Sequence, residues 1–73
     1  MKKVLIFRTN IETQKSVEAI QMLFNNQSSI INWSIDLEDI DKVLKVKITD
    51  TLNENDVKNL VKVKGFYCEA LPD

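Results

Sequence analysis

Side chains able to bind a soft metal ion or act as a nucleophile are scarce in this chain. Its 73 residues include no histidine and one cysteine, Cys68. An intramolecular disulfide is therefore excluded. A metal site on Cys68 would need a second soft donor, and only Met1 and Met22 offer one. Free cysteine commonly behaves as a small buried hydrophobe, and that reading suits Cys68. Asp36, Glu38, Asp39 and Asp41 crowd into one short stretch. A hard cation needs converging oxygens, and this stretch lacks the glycine and spacing of a calcium loop, so it reads as a solvated turn. With no histidine, no cysteine pair and no paired carboxylates in an expected cleft, no catalytic constellation emerges. The chain is not expected to be an enzyme.

Composition narrows the partners. Ten basic and eleven acidic residues leave a net charge of −1. No strong overall field would draw in nucleic acid or anionic lipid. Lys45, Lys47, Lys58, Lys62 and Lys64 raise the question of RNA. Modules that bind RNA on a sheet stack bases on aromatics of the central strands, and here Phe7 alone is so placed. No apolar run approaches the ~20 residues of a membrane span. The apolar start of the chain ends at Arg8 without a small-residue cleavage site, so it reads as a strand rather than a signal peptide. The expectations are one domain over residues 1–73, a cytoplasmic location, no cofactor, no nucleic acid and no membrane.

The elements follow from periodicity. Lys3 to Thr9 is a compact, β-rich apolar run with apolar residues on both faces, which suits a central strand. From about Glu12 to Asn26 the pattern is helical, with Val17, Ile20, Leu23 and Phe24 on one stripe. Thr9 stands three residues before Glu12, the spacing of a capping box, although a later start also fits. The polar cluster at 25–29 ends the helix. Ile31, Trp33, Ile35 and Leu37 then alternate with polar residues, the mark of a strand with one buried face. A polar connection over 38–42 leads to a second such strand, with Leu44, Val46 and Ile48 inward and Lys45 and Lys47 outward. These lysines sit across from the polar face of the preceding strand.

Thr51 to Lys64 is the second helix, capped by Thr51 with Glu54 or by Asn53 with Asp56. Val57, Leu60 and Val61 share a face. Gly65, the only glycine, sits where a helix needs a left-handed residue after its last turn. Phe66 to Leu71 forms a last strand, with Phe66, Cys68 and Ala70 on one face, and Pro72 ends it. The order is βαββαβ, an α+β ferredoxin-like arrangement. Right-handed crossovers give a four-stranded antiparallel sheet with two helices on one face.

Several segments, in order, resemble the heavy-metal-associated domains of metallochaperones. Phe7-Arg8-Thr9-Asn10-Ile11 resembles the strand end and loop that precede that family's Cys-x-x-Cys. Val17 and Ile20 match the helix positions after the second cysteine. Ile31-Asn32-Trp33-Ser34-Ile35-Asp36-Leu37-Glu38 resembles its second strand, and Val57 to Phe66, closing in Lys-Gly-Phe, its second helix. The other families considered on this topology fit less well. Acylphosphatases carry a glycine-rich anion loop that Arg8-Thr9-Asn10-Ile11 lacks, and small-ligand-sensing ACT domains lack the Asp-Leu and Lys-Gly-Phe features.

The resemblance implies that Thr13 and Ser16 occupy the two ligand positions. Family members hold Cu(I), zinc or cadmium there through thiolates, and a neutral hydroxyl is a poor ligand for so soft an ion. A register shifted by three residues would place Asn10 and Thr13 there instead, with the same outcome. Both Thr13 and Ser16 also suit a helix N-terminus. The expected role is a heavy-metal-associated-like domain that has lost metal binding and serves as a protein-interaction or regulatory module. The alternative is a divergent copper- or zinc-binding, metal-transport-associated protein that uses Cys68 or an intermolecular site. The first strand holds apolar residues on both faces, Leu5 and Phe7 on one and Val4 and Ile6 on the other. One sheet face carries no helix, and apolar residues there are either covered by long lysines or hint at a protein partner or a homodimer.

Overall fold

The computed structural model describes residues 2–71. Strand β1 (Lys3–Thr9) leads to helix α1 (Gln14–Asn25), strands β2 (Ile30–Asp36) and β3 (Val43–Ile48), helix α2 (Glu54–Val63) and strand β4 (Cys68–Ala70). The sheet order is β2-β3-β1-β4. All pairings are antiparallel, with Leu5 opposite Val46 and Thr9 opposite Cys68. This is the expected ferredoxin-like arrangement, and β1 is central, with β3 along one edge and β4 along the other. Phe7, Leu44, Val46, Ile48 and Cys68 from the sheet share one core with Ile20 and Phe24 of α1 and Val57 and Val61 of α2. Both helices therefore cover the same sheet face. Phe24 meets Trp33 edge to face, with ring centroids 5.5 Å apart, a favoured aromatic geometry.

Three features differ from the expected elements, and one alternative left open is decided. In β2 an extra residue sits between the pairs Ile30–Ile48 and Asn32–Lys47. This bulge flips the side chains before it: Ile30 packs on the core, and Ile31, expected inside, is 43% exposed. Helix α1 begins after Thr13, not at Glu12, because Thr9 is spent elsewhere and Thr13 is the N-cap. Of the two caps considered for α2, Asn53 with Asp56 is the one formed, and each side chain accepts from the other residue's backbone N–H. Strand β4 is shorter than the expected run from Phe66, since that residue belongs to the helix ending. The stop assigned to Pro72 lies outside the described residues.

That ending is a Schellman motif. The Gly65 N–H donates to the Lys62 carbonyl (2.9 Å), and the Phe66 N–H to the Val61 carbonyl (3.4 Å), with Gly65 at φ +88°. The two bonds satisfy carbonyls that the helix leaves open. A Cβ on Gly65 would meet no atom within 4 Å, so a substitution there costs backbone strain alone. Gly65→Ala is expected to lower stability by about 1–2 kcal/mol, read by urea denaturation, with Gly65→Asn milder because asparagine tolerates the left-handed region.

Candidate functional site

The loop between β1 and α1 is organised by the last residue of the strand. Thr9 follows Leu5 and Phe7 in the inward alternation and is 5% exposed, the one buried polar residue among those described. Its Oγ1 donates to the Lys42 carbonyl (2.7 Å) and accepts from the Ile11 N–H (3.2 Å). The Thr9 N–H donates to the Asp41 carbonyl (3.0 Å). One residue thus ties the loop to the β2–β3 turn. On the other side, Asn10 Oδ1 accepts from the Tyr67 N–H (2.8 Å), which fastens the loop to the approach to β4. Between these anchors Ile11 is fully buried.

The turn that receives Thr9 holds the acidic cluster. The Lys42 N–H donates to the Asp39 carbonyl (3.0 Å), and Asp39 Oδ1 accepts from the Asp41 N–H (2.8 Å). Lys42, at φ +46°, sends its Nζ to the Leu37 carbonyl (2.8 Å). Asp36 Oδ1 accepts from the Glu38 N–H (3.1 Å). Asp41 pairs with Arg8, Oδ1 to Nε 3.2 Å. Asp36, Asp39 and Asp41 thus each have a local partner. Among the described residues, no group of three or more histidine, cysteine, aspartate or glutamate side chains is placed to hold a metal ion.

Thr13 and Ser16 are brought together. Thr13 Oγ1 accepts from the Ser16 N–H (3.1 Å) and donates to Ser16 Oγ (2.9 Å). The Thr13 carbonyl receives the Val17 N–H (3.0 Å). Thr13 is thus the N-cap of α1, and Ser16 supplies the backbone N–H that the cap satisfies while its hydroxyl bonds that of Thr13. As a donor set, two neutral hydroxyls that bond each other do not fit a thiophilic ion.

Cys68 lies elsewhere. It is 2% exposed and belongs to the core. Burial pushes its thiol up to about 11; Lys58 and Lys62 pull it down and Glu54 adds to the rise. These charged neighbours all lie on α2, and neither Thr13 nor Ser16 is among the groups that act on it. Met22 is 72% exposed on α1 and shares no site with a buried thiol, while Met1 lies outside the described residues. The lysines do not form one patch: Lys45 and Lys47 project from the sheet, Lys58, Lys62 and Lys64 from α2 or its end. The sequence reading missed Thr9 as the organiser of the loop. Its signal was a polar residue at an inward position of a central strand.

No family model and no curated protein matches the chain. Solved structures do. The apo HMA domain of the copper chaperone for superoxide dismutase superposes with TM-score 0.83 at 19% identity, over 99% of this chain and 69% of that one. The yeast copper transporter domain Ccc2a, solved in apo and Cu(I)-loaded states, gives 0.81 at 17%, over 96% of each. The CsoZ metallochaperone gives 0.79 at 19%, over 99% and 100%. The chain has the fold of the heavy-metal-associated domain. No helix among the described residues is long and apolar enough to cross a membrane.

Two outcomes follow from this geometry. Thr9→Val keeps the volume but strands the Ile11 N–H and one bond of the Lys42 carbonyl. A loss of about 2–3 kcal/mol is expected by thermal denaturation, against about 1 kcal/mol for Thr13→Ala. The thiol of Cys68 sets a pH dependence. Its ordinary value of 9.0 rises to about 11 on folding, so between these values the unfolded chain binds fewer protons than the folded one. Stability should fall as pH rises from about 9 to about 11 and then level off. Below 9 the thiol contributes no slope. Cys68→Ala should remove this component of the alkaline profile.

Proposed function

We propose that residues 1–73 form one heavy-metal-associated-type domain that has lost its metal donors and works as a protein-interaction or regulatory module, without catalytic activity, in the cytoplasm. The observation that carries this reading is the Thr13–Ser16 pair. At the positions where the resembled family places its cysteines, two hydroxyls bond each other, and that of Thr13 caps the helix. Thr9 and Asn10 hold the loop from both sides, so its shape does not need a metal. The three structural neighbours are copper-chaperone, copper-transporter and metallochaperone domains, and the same scaffold here is read as keeping recognition without cargo. A site on Cys68 would have to draw a buried, protonated thiol out of the core.

The test is titration of the reduced protein with Cu(I) and with Zn(II) against a chromophoric chelator. The expected result is no competition with the chelator. Stoichiometric binding at sub-micromolar affinity that vanishes in Cys68→Ser would overturn the reading in favour of a divergent metal-binding protein.

A further inference from the structure

Residues 30–35 read Ile-Ile-Asn-Trp-Ser-Ile. They are rich in β-formers and include no charge, proline or glycine. That is the composition of segments that recruit other strands when their edge is open. In the fold they make up most of β2, an outer strand of the sheet that pairs with β3 on one side only. Ile31 is exposed there, and Trp33 and Ile35 are half-buried. A strand so composed and so placed aggregates unless something blocks its free side.

The register shows which backbone groups lie on that side. The Thr49 N–H donates to the Ser29 carbonyl (2.9 Å). Backbone groups of a strand alternate in direction, so Lys47, Lys45 and Val43 face β2 as Thr49 does. Their partners Asn32, Ser34 and Asp36 direct their N–H and C=O groups to β3. Trp33 and Ile35 therefore turn theirs to the free edge. There the Trp33 N–H is already taken: it donates to Oδ1 of Asn32 (2.9 Å). The bulge at Ile31 makes the strand irregular just before it, and bulges disturb pairing. Asp36 ends the strand with an exposed carboxylate, a second feature that blunts edges.

We propose that Asn32 guards the β2 edge against strand addition. An arriving strand meets an irregular backbone at Ile31 and no free donor at Trp33. It keeps regular access to both groups of Ile35 alone, less than the ~3 residues of the shortest strands. The Asn32 side chain thereby keeps an apolar edge from pairing with a second copy of itself. This inference goes beyond the proposed function and does not depend on it, because the guard works whether or not the loop binds metal.

Amide hydrogen exchange followed by NMR tests the contact in the native protein. Once intrinsic rates are allowed for, the Trp33 amide should exchange about 5-fold more slowly than that of Ile35, the effect of one modest hydrogen bond. Two variants test the consequence. Asn32→Ala removes the acceptor, whereas Ser34→Ala trims a neighbouring side chain of the same face and leaves the contact intact. Both positions are exposed, and circular dichroism checks that each variant is folded. In Asn32→Ala the Trp33 amide should lose its protection. Sedimentation velocity at rising concentration should show Asn32→Ala associating where the native chain and Ser34→Ala remain monomeric. The fluorescence of Trp33, the only tryptophan, should change with that association. A native Trp33 amide as fast as that of Ile35 overturns the proposal. So does a folded Asn32→Ala whose state of association matches that of the native chain, or a Ser34→Ala that associates as strongly as Asn32→Ala. Should Asn32→Ala fail to fold, exchange in the native chain decides.

Discussion

A buried threonine hydroxyl ties the loop between β1 and α1 to the turn between β2 and β3. Thr9 stands at the inward position closing the central strand, where an apolar residue would pack as well. Its hydroxyl instead makes one bond to the Lys42 carbonyl and receives one from the Ile11 N–H. A buried polar group left unpaired is costly, so these bonds tolerate little displacement. The turn carrying Asp39 and Asp41, the loop carrying Ile11 and the start of α1 are thereby set relative to one another. Among the described residues no buried side-chain polar atom lacks a partner, so the cluster holds with its bonding needs met.

This arrangement separates the shape of the loop from its chemistry. In a metal site the ion can organise its own ligands, because binding energy is also folding energy. Here protein groups do the organising. Thr9 and Asn10 anchor the two sides, Ile11 fills the core, and Thr13 with Ser16 closes the first helical turn. The same cap that orders the helix engages the hydroxyls of Thr13 and Ser16. Cys68 serves packing: it sits among Val57, Val61 and other core residues, where burial keeps the thiol protonated. What the scaffold leaves open is its outer sheet face, where apolar and charged residues alternate.

The element order, the central place of β1 and the inward residues of β3 were legible because one strong period ran through each segment. Gly65 was legible because only a left-handed helix ending calls for glycine there. The start of β2 was not. Ile30 and Ile31 are both apolar, so alternation alone does not say which faces inward, and the bulge that decides it depends on pairing with β3. The α1 boundary misled for a related reason. Thr9 and Glu12 have capping spacing, but the threonine is claimed by a turn 33 residues away in sequence, and no local pattern reports that. At the candidate site, the capping role of Thr13 could be read from residue type, whereas the Thr9 network required the tertiary fold.

Under the proposed function the loop keeps the shape of a metal-binding loop and lacks only its donors. Restoring them tests it most directly, by Cu(I) titration of Thr13→Cys with Ser16→Cys against a competing chelator. The account predicts that the double variant binds one Cu(I) per chain tightly while remaining folded. A folded double variant that binds no more Cu(I) than the native chain would contradict it.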